Sequence, residues 1–262
     1  PGFVYGGWTY ATYMNGVAVG DGDNDNKTEV YGASSDNHLY KFTYSGSAWS
    51  RADMGTGETP AYWYSGMQKL VIGDGDNEGK NEVYGASYLN ATIWQYKWNS
   101  GSNKWGISQM VSLGTGVTAN DIVLGDGNSD GDNELYVATS NKQVYEVRLK
   151  SGSWEYSAVG SGNGQMTGVG TGFITEDTQV LEVFAASADG HAYEFYNDAI
   201  PPANPKLWSD THPTPGTWYA ESKVHVLWKD VGFDRSGIDG YSVSWDGTSD
   251  TKPDETKDFE QS

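Results

Sequence analysis

The sequence predicts an all-β fold in which a four-stranded unit is repeated along the chain and a short β segment follows. Composition is the first observation: 35 of the 262 residues are glycine and 14% are aromatic, which suits many short strands joined by turns. The second is a repeat of about fifty residues, marked by EVYGAS at Glu29 and Glu82, ELYVAT at Glu134 and EVFAAS at Glu182. Units of this length with four strands are typical of β-propeller blades.

The predicted strands follow one another in the same order in each unit. An apolar run such as GVAVGD or KLVIGD comes first, the EVYGAS-type run second and an aromatic strand third. Equivalent aromatic positions of the third and fourth strands are Tyr40, Trp94, Tyr145, Tyr193, Trp49, Trp105 and Trp154. One sheet cannot bury both of its faces alone, whereas blades packed side by side do. We therefore predict blades within residues 1–200, with these aromatic rings between them or, alternatively, presented to sugars.

An acidic loop of nine residues joins the first and second strands in three of the units. Oxygen-bearing side chains stand at loop positions 1, 3, 5 and 9: Asp21, Asp23, Asp25 and Glu29; Asp74, Asp76, Glu78 and Glu82; Asp126, Asn128, Asp130 and Glu134. Alternate oxygens on a tight turn can point at one hard cation, and calcium prefers six to eight oxygens at about 2.3–2.6 Å. A solvated turn is the alternative for a single loop. Three copies in register favour about three structural Ca²⁺ ions.

The order of apolar strand, acidic loop, EVYGAS and aromatic strand resembles the FG-GAP/VCBS-type repeat over roughly residues 8–198. The resemblance implies calcium-bearing propeller blades like those of integrin α-subunit heads and of bacterial and archaeal surface proteins. It also implies that loop position 7 donates a backbone carbonyl, from Lys27, Lys80 and Asp132. Position 9 is Glu here rather than the commoner Asp, so the carboxylate reaches one methylene further.

Two further expectations follow from the repeat. The fourth unit has an apolar residue at loop position 1, so its loop, between Gly172 and Glu182, is expected to bind no calcium. Members of the family usually have about seven or eight blades, whereas four are visible. A small closed ring, missing upstream blades, and two chains that complete one ring remain as alternatives.

Charge and composition exclude several classes of partner. The net charge of −19 argues against nucleic acid and anionic membrane surfaces, which require a basic face. No run of 18 apolar residues occurs, so no membrane insertion is predicted. The chain has no cysteine, so calcium, which is abundant outside cells, would take the place of disulfides. We expect an extracellular or cell-surface protein, and the start at Pro1 suggests a processed chain or a fragment.

The remainder of the chain differs in composition. Residues 201–205, PPANP, predict a Pro-rich linker. Within 206–262, VHVLW and YSVSW alternate as half-buried strands do. This segment resembles the opening half of an Ig-like or fibronectin-like module, which normally has about 100 residues. A partial module is therefore predicted.

The sequence favours a binding function over catalysis. None of its four histidines belongs to a recognisable catalytic motif. We predict a calcium-stabilised module for adhesion, surface assembly or carbohydrate recognition, with a glycan, a surface protein or a second copy of the chain as partner. Trp63 and Trp98 have no counterparts in the other units, which makes them candidates for glycan stacking. The alternatives are a polysaccharide lyase or its accessory domain, and an architectural component of a surface layer or filament.

Overall fold

The computed structural model describes residues 2–5, 8–11, 13–57, 66–172, 182–195, 206–214, 216–229, 240–241 and 259–260. The chain divides into two compact units, Pro1–Asn197 and Asp198–Ser262. Three sequence predictions lie outside the described residues: the stacking role of Trp63, the calcium-free loop of the fourth unit and the linker at 201–205.

The first unit is all-β, and its strands form the predicted propeller blades. A hairpin precedes them, made of β1 (Gly2–Tyr5) and β2 (Trp8–Ala11). Blade 1 comprises β3 (Met14–Gly20), β4 (Glu29–Ser34), β5 (His38–Tyr44) and β6 (Trp49–Thr56). Blade 2 comprises β7 (Met67–Gly73), β8 (Glu82–Ser87), β9 (Thr92–Asn99) and β10 (Lys104–Ser112), with a short 3₁₀ helix at Leu89–Ala91. Blade 3 comprises β11 (Ala119–Gly125), β12 (Glu134–Thr139), β13 (Gln143–Lys150) and β14 (Ser153–Ser161). The described part of blade 4 comprises β15 (Met166–Gly172), β16 (Glu182–Ser187) and β17 (Ala192–Phe195).

Each blade is an antiparallel sheet whose strands pair in sequence order. The register is the same in all of them, because the glycine that ends the first strand faces the glutamate that begins the second. Gly20 pairs with Glu29 and Gly73 with Glu82, and blades 3 and 4 repeat this pairing. The acidic loop of a blade therefore leaves and re-enters the sheet at adjacent points, which brings loop positions 1 and 9 together.

The cores lie between successive blades. Tyr31, Leu39 and Leu70 belong to the core between blades 1 and 2, and separate clusters fill the next two interfaces. The second-strand tyrosines of blades 1–3 are fully buried, and Trp94 of the aromatic strand is nearly so. The predicted four-bladed architecture is thus confirmed. Of the predicted aromatic positions Tyr40 and Trp94 are buried, whereas the prediction is wrong for Trp49, which is 60% exposed at the start of the outermost strand β6.

The first strands tie the blades together near their inner edge. Each of them carries a β-bulge at its second residue, which re-aims that side chain. In blade 1 the bulged Asn15 donates to the carbonyl of Met67 at 2.8 Å. In blade 3 the equivalent Asn120 donates to the carbonyl of Met166 at 2.7 Å.

The second unit contains short antiparallel hairpins in its described part. β18 (Lys206–Ser209) pairs with β19 (Val226–Lys229), and β20 (Gly240–Tyr241) pairs with β21 (Phe259–Glu260). A short β segment after the blades agrees with the prediction, while its assignment to an Ig-like module stays a prediction. Among the described residues, no helix is long and apolar enough to cross a membrane.

Candidate metal sites in the acidic loops

The aspartate at loop position 1 organises each turn. In the first loop the Asp21 carboxylate accepts the backbone N–H of Asp25 at 3.0 Å and that of Asn26 at 2.8 Å. Asp74 and Asp126 make the same two contacts in their loops. Residues with positive φ stand at positions 4 and 6 of all three turns: Asn24, Asn77, Ser129, Asn26, Gly79 and Gly131. Asn and Gly tolerate this conformation best, so the sequence fixes one turn geometry in three places.

Loop position 2 is glycine in all three loops because the next blade packs directly on it. A Cβ at Gly22 would lie 2.7 Å from a methyl group of Val83, and a Cβ at Gly127 would lie 2.5 Å from one of Val183. Such distances are shorter than side chains tolerate. The loops are therefore part of the contact between blades, which couples loop shape to blade packing.

The glutamate at loop position 9 is buried in every described blade. Glu29, Glu82 and Glu134 are each almost fully inaccessible to solvent. One carboxylate oxygen accepts a hydrogen bond from the tyrosine two residues later, as in Tyr84 Oη to Glu82 at 2.9 Å. The other oxygen of Glu29 and of Glu82 accepts no hydrogen bond. A buried carboxylate oxygen without a hydrogen-bond donor is costly. A lysine ammonium lies 3.3 Å from this oxygen of Glu29 and 3.7 Å from that of Glu82, so both oxygens stand where a cation is favourable.

Burial also changes the acidity of these glutamates. It raises the pKa of Glu82 to about 7. Burial, with the nearby charge of Asp130, raises the pKa of Glu134 to about 8. In the metal-free chain these groups hold protons at far higher pH than an ordinary glutamate does.

The first loop brings all four predicted side chains together. One carboxylate oxygen from each of Asp21, Asp23, Asp25 and Glu29 lies within 4.8 Å of the others. The ammonium of Lys41, on the facing strand, pairs with Asp23 and lies 3.3 Å from Glu29. The site thus has a concentrated negative charge and an internal cation that partly neutralises it.

The second loop gathers three of its four predicted side chains. Asp74, Asp76 and Glu82 form a group of the same size. Glu78, at position 5, lies 2.6 Å from the ammonium of Lys97, which also lies 2.8 Å from Asp76. Glu78 therefore points to the lysine rather than to the other carboxylates.

The third loop has a different charge arrangement. Position 3 is Asn128, whose amide donates to Glu146 on the facing strand at 3.2 Å. The carboxylates of Asp126, Asp130 and Glu134 do not form a comparably tight group in the described part of the chain. Arg148 lies 3.8 Å from Glu146 and pairs with it rather than with Glu134. The third loop keeps its oxygen donors but has no internal cation on its buried glutamate.

The residues at loop position 7 lie at the surface. Lys27, Lys80 and Asp132 are exposed, and the Lys27 ammonium pairs with Asp25 at 2.9 Å. Their predicted carbonyl role is compatible with this placement, since the side chains extend away from the buried position 9.

Reciprocal asparagine contacts join successive loops. The Asn24 side chain donates to the Asn81 carbonyl at 2.9 Å and accepts the Asn81 N–H at 2.9 Å. The Asn81 side chain then donates to the Asp21 carbonyl at 2.9 Å. Asn77 and Asn133 repeat the three contacts between loops two and three. We call each such pair an asparagine clamp; the clamps place neighbouring loops in direct contact.

Sequence reasoning missed these partners, and each left a faint signal. The clamp was visible as Asn at position 4 of the first two loops and at position 8 of the last two. The facing-strand residues Lys41, Gln95 and Glu146 follow the equivalent aromatic residues of the third strands and pair with the second-strand tyrosines, but their side-chain types differ, so the repeat alone does not mark them as partners of loop position 3. Gln95 donates to Asp76 at 2.8 Å. The residue that faces loop position 3 is therefore basic in blade 1, neutral in blade 2 and acidic in blade 3, while position 3 itself is Asp, Asp and Asn.

The donor set of the first two loops fits a hard divalent cation. It consists of carboxylate oxygens from alternate loop positions, together with buried oxygens that accept no hydrogen bond. Oxygen-only sites of this kind suit calcium and magnesium, and a flexible turn without a rigid octahedron favours calcium. The third loop offers an amide oxygen in place of one carboxylate, with Glu146 supplying the missing negative charge nearby.

Trp98 is less free than the sequence suggested. Its ring lies 5.2 Å from that of Trp105 across β9 and β10, and its side chain is half-buried. Trp105 in turn contacts Tyr31 edge-on at 6.2 Å. Trp98 therefore packs against Trp105 and keeps part of its surface accessible to solvent.

Comparisons with known proteins add little to the fold. No protein-family model matches the chain, and no curated protein matches it. The chain is similar to a crystal structure of BBS1N in complex with ARL6DN, soaked with lead, with 12% sequence identity and a TM-score of 0.48. The match covers 74% of this chain and spans 59% of that chain. A likeness this distant carries no information about function.

Proposed function

We propose that this protein is an extracellular or cell-surface binding module, a β-propeller of FG-GAP type whose blades are stabilised by calcium. One observation supports this above all: the buried Glu29 and Glu82 at loop position 9 stand beside the loop aspartates, and each keeps an oxygen that no described hydrogen-bond donor reaches and that a lysine ammonium approaches only to 3.3 Å and 3.7 Å. A fold that only needed a polar turn would leave these carboxylates in water. Bound Ca²⁺ would supply the positive charge that makes their burial favourable.

The residues that would hold the ions follow from the loops. Asp21, Asp23, Asp25 and Glu29 would hold the first, and Asp74, Asp76 and Glu82, with Glu78 released from Lys97, the second. Asp126, Asn128, Asp130 and Glu134 would hold the third. An ion that binds only the folded chain adds RT ln(1+[L]/Kd), or about 2.7 kcal/mol at a hundredfold excess over Kd. Calcium would thereby lock loops and blades into one rigid platform for a partner.

A thermal melt tests the calcium proposal. The chelated protein is compared with samples that receive calcium or magnesium in equal concentration. We expect a large rise in Tm with calcium, a smaller one with magnesium, and little change for Glu155→Gln, an exposed glutamate outside the loops. An identical Tm in all samples would refute the proposal, because the loops would then be solvated turns.

The partner class is tested separately. We propose a glycan or a surface protein, contacted by the loops and by aromatic side chains such as Trp98 and Trp63. Binding of the calcium-loaded chain to a glycan array, and its loss in Trp98→Ala with unchanged Tm, would support carbohydrate recognition. Depolymerisation of a bound polysaccharide would instead identify an enzyme, while binding without turnover fits the module.

A further inference from the structure

Blade 1 carries an apolar face on which no blade packs in the described part of the chain. This head face consists of Val17 and Val19 on β3, Val30 on β4 and Phe42 on β5, which lie side by side in the sheet register. Val17 is 68% exposed and Val19 is 65% exposed. At the position of Val17, Leu70 of blade 2 is 7% exposed and Ile122 of blade 3 is 6% exposed. Blade 1 therefore presents to solvent the same face that its successors bury.

Blade 4 carries the opposite face, also uncovered. This tail face consists of Gly170 and Gly172 on β15 with Phe184 and Ala186 on β16. Ala186 is exposed and Phe184 half-exposed, although the equivalent alanines and tyrosines of blades 1–3 are fully buried. A Cβ placed at Gly170 or Gly172 would meet none of the described residues within 4 Å. The last described blade thus lacks the cover that each earlier blade receives.

The contacts between blades 1 and 2 and between blades 2 and 3 show which side chains meet when a face like the head face packs on a face like the tail face. A Cβ at Gly20 would lie 3.3 Å from Ile72 of the next blade, and a Cβ at Gly73 would lie 2.3 Å from Leu124. In each case a branched aliphatic side chain covers the glycine that ends the preceding first strand. Val19 stands at the position of Ile72 and Leu124, and Gly172 stands at the position of Gly20 and Gly73. The head and tail faces are therefore complementary in the way that interior blade faces are.

The faces do not meet within one chain. β3 packs against β7, β7 against β11 and β11 against β15, but no comparable contact joins β15 to β3 among the described residues. We propose that the head face of one copy docks on the tail face of a second copy of this chain. Two copies related by a twofold axis would make this contact twice and close a ring of eight blades, a number within the range of propellers. The proposal rests on the blade faces and does not depend on metal in the loops.

Blocking each face separately tests the proposal. Val19→Lys places a charge on the head face, and Gly172→Leu fills the tail face, where the single chain has room for it. The mass in solution is measured by light scattering after size-exclusion chromatography, for each variant and the wild type, with calcium present. We expect twice the 28.5 kDa of one chain for the wild type and a monomer for each variant, with unchanged Tm.

A mixture of the two variants gives the sharper result. Val19→Lys keeps a free tail face and Gly172→Leu keeps a free head face, so together they should form a 1:1 complex. This complex should be weaker than the wild-type dimer, because one contact replaces two. Val224→Lys, which charges an exposed valine of the second unit, should leave the dimer intact.

Three outcomes would overturn the inference. The first is a monomeric wild type at every concentration. The second is a Gly172→Leu variant that still dimerises. Such a dimer could not use the blocked tail face, so its two copies would meet through their head faces or through another surface. The third is a mixture that forms no 1:1 complex at the highest concentration. A fall in Tm for Gly172→Leu would be checked with Gly170→Leu, which also fills open space on the tail face.

Discussion

The first and third acidic loops share a backbone but balance their charges differently. In the first, Asp23 at position 3 faces Lys41, whose ammonium also reaches the buried Glu29. In the third, Asn128 faces Glu146, and the only basic neighbour, among the described residues, is Arg148, which pairs with Glu146. The negative charge thus lies at position 3 in the first loop and on the facing strand in the third, where a glutamate stands in place of the lysine. Repeats with one turn geometry therefore need not respond equally to the loss of a metal ion.

The second loop lies between these two cases. Asp76 is retained, Gln95 replaces the facing lysine, and the ammonium comes instead from Lys97 two residues later. Both of the first two loops thus contain a lysine ammonium, but the lysine stands at a different position of the third strand in each blade. Glu29 and Glu82 therefore have a basic neighbour in the metal-free chain, whereas Glu134 depends on protonation or on an ion.

The largest effect expected is at Glu134. With calcium present, Glu134→Gln should lower the free energy of unfolding by about 2.7 kcal/mol if the site is held at a hundredfold excess over Kd, or roughly 5–11 °C in Tm. In the chelated protein the same change should raise stability, since it removes a buried carboxylate without a basic partner. Urea unfolding under both conditions measures this, and Glu29→Gln is the matched comparison. Equal effects of the two variants in chelator would contradict the difference between the loops.

The stability of the metal-free protein is expected to depend on pH through the buried glutamates of the second and third loops. Because burial raises the pKa of Glu82 to about 7 and, with the charge of Asp130, that of Glu134 to about 8, both are protonated in the folded state well above the pKa of the unfolded chain. Their full contribution to the free energy of unfolding is present below about pH 4.5, where the glutamates are protonated in both the folded and the unfolded chain. This contribution is lost as the pH rises through about 7 and 8, the folded-state pKa values of Glu82 and Glu134. Chelated protein should therefore unfold at lower urea concentration at pH 8.5 than at pH 5.5. Glu134→Gln should remove the part of this loss near pH 8.

Much of the fold was accessible from the sequence because its signals are local. Strand order, the loop register and the glycines at loop position 2 follow from residues a few places apart, and the period repeats them. The aromatic positions follow only in part: Trp94 is buried as predicted and Trp49 is exposed, while the most deeply buried rings belong to the second strands, whose tyrosines the sequence analysis did not name. Tyr31, Tyr84 and Tyr136 occupy equivalent positions and are all buried.

The rest of the candidate site depends on contacts between distant residues. Lys41 meets Asp23 because Tyr31 pairs with Lys41 across β4 and β5, a register that no local motif states. Asn24 meets Asn81 across 57 residues and two blades. Trp98 has no counterpart in the other units and was therefore not expected to be required by the repeat, but its ring packs against the cross-strand neighbour Trp105 at 5.2 Å. Such pairs are determined by the register between strands and by the packing between blades, neither of which can be read from a local sequence motif.

A smaller effect is expected at Lys97. Its ammonium contacts Asp76 and Glu78 and must leave them before an ion binds there. Lys97→Met should therefore raise the calcium affinity of the second loop, by less than about tenfold or 1.4 kcal/mol. Isothermal titration calorimetry measures this change. Lys80→Met removes the same charge from the exposed surface of the same loop, and an equal gain from it would mean that only net charge matters.

The asparagine clamps are expected to give the smallest effect, and they test whether the loops act independently. Asn24→Gly keeps the left-handed backbone at position 4 and removes two hydrogen bonds to Asn81. The expected loss is about 1 kcal/mol, because these bonds are partly exposed to water. Asn103→Gly, in an exposed turn with a similar φ, controls for the gain in chain entropy.

A double-mutant cycle separates the clamp from its parts. Asn81→Ala removes the bond to the Asp21 carbonyl and keeps the N–H that Asn24 accepts. If the clamp acts as a unit, Asn24→Gly and Asn81→Ala should show a coupling energy of about 0.5 kcal/mol or more by urea unfolding. Calcium should increase that coupling, since an ion in the first loop fixes Asp21 and an ion in the second fixes the turn that carries Asn81. Additive effects with and without calcium would mean that each blade holds its ion alone.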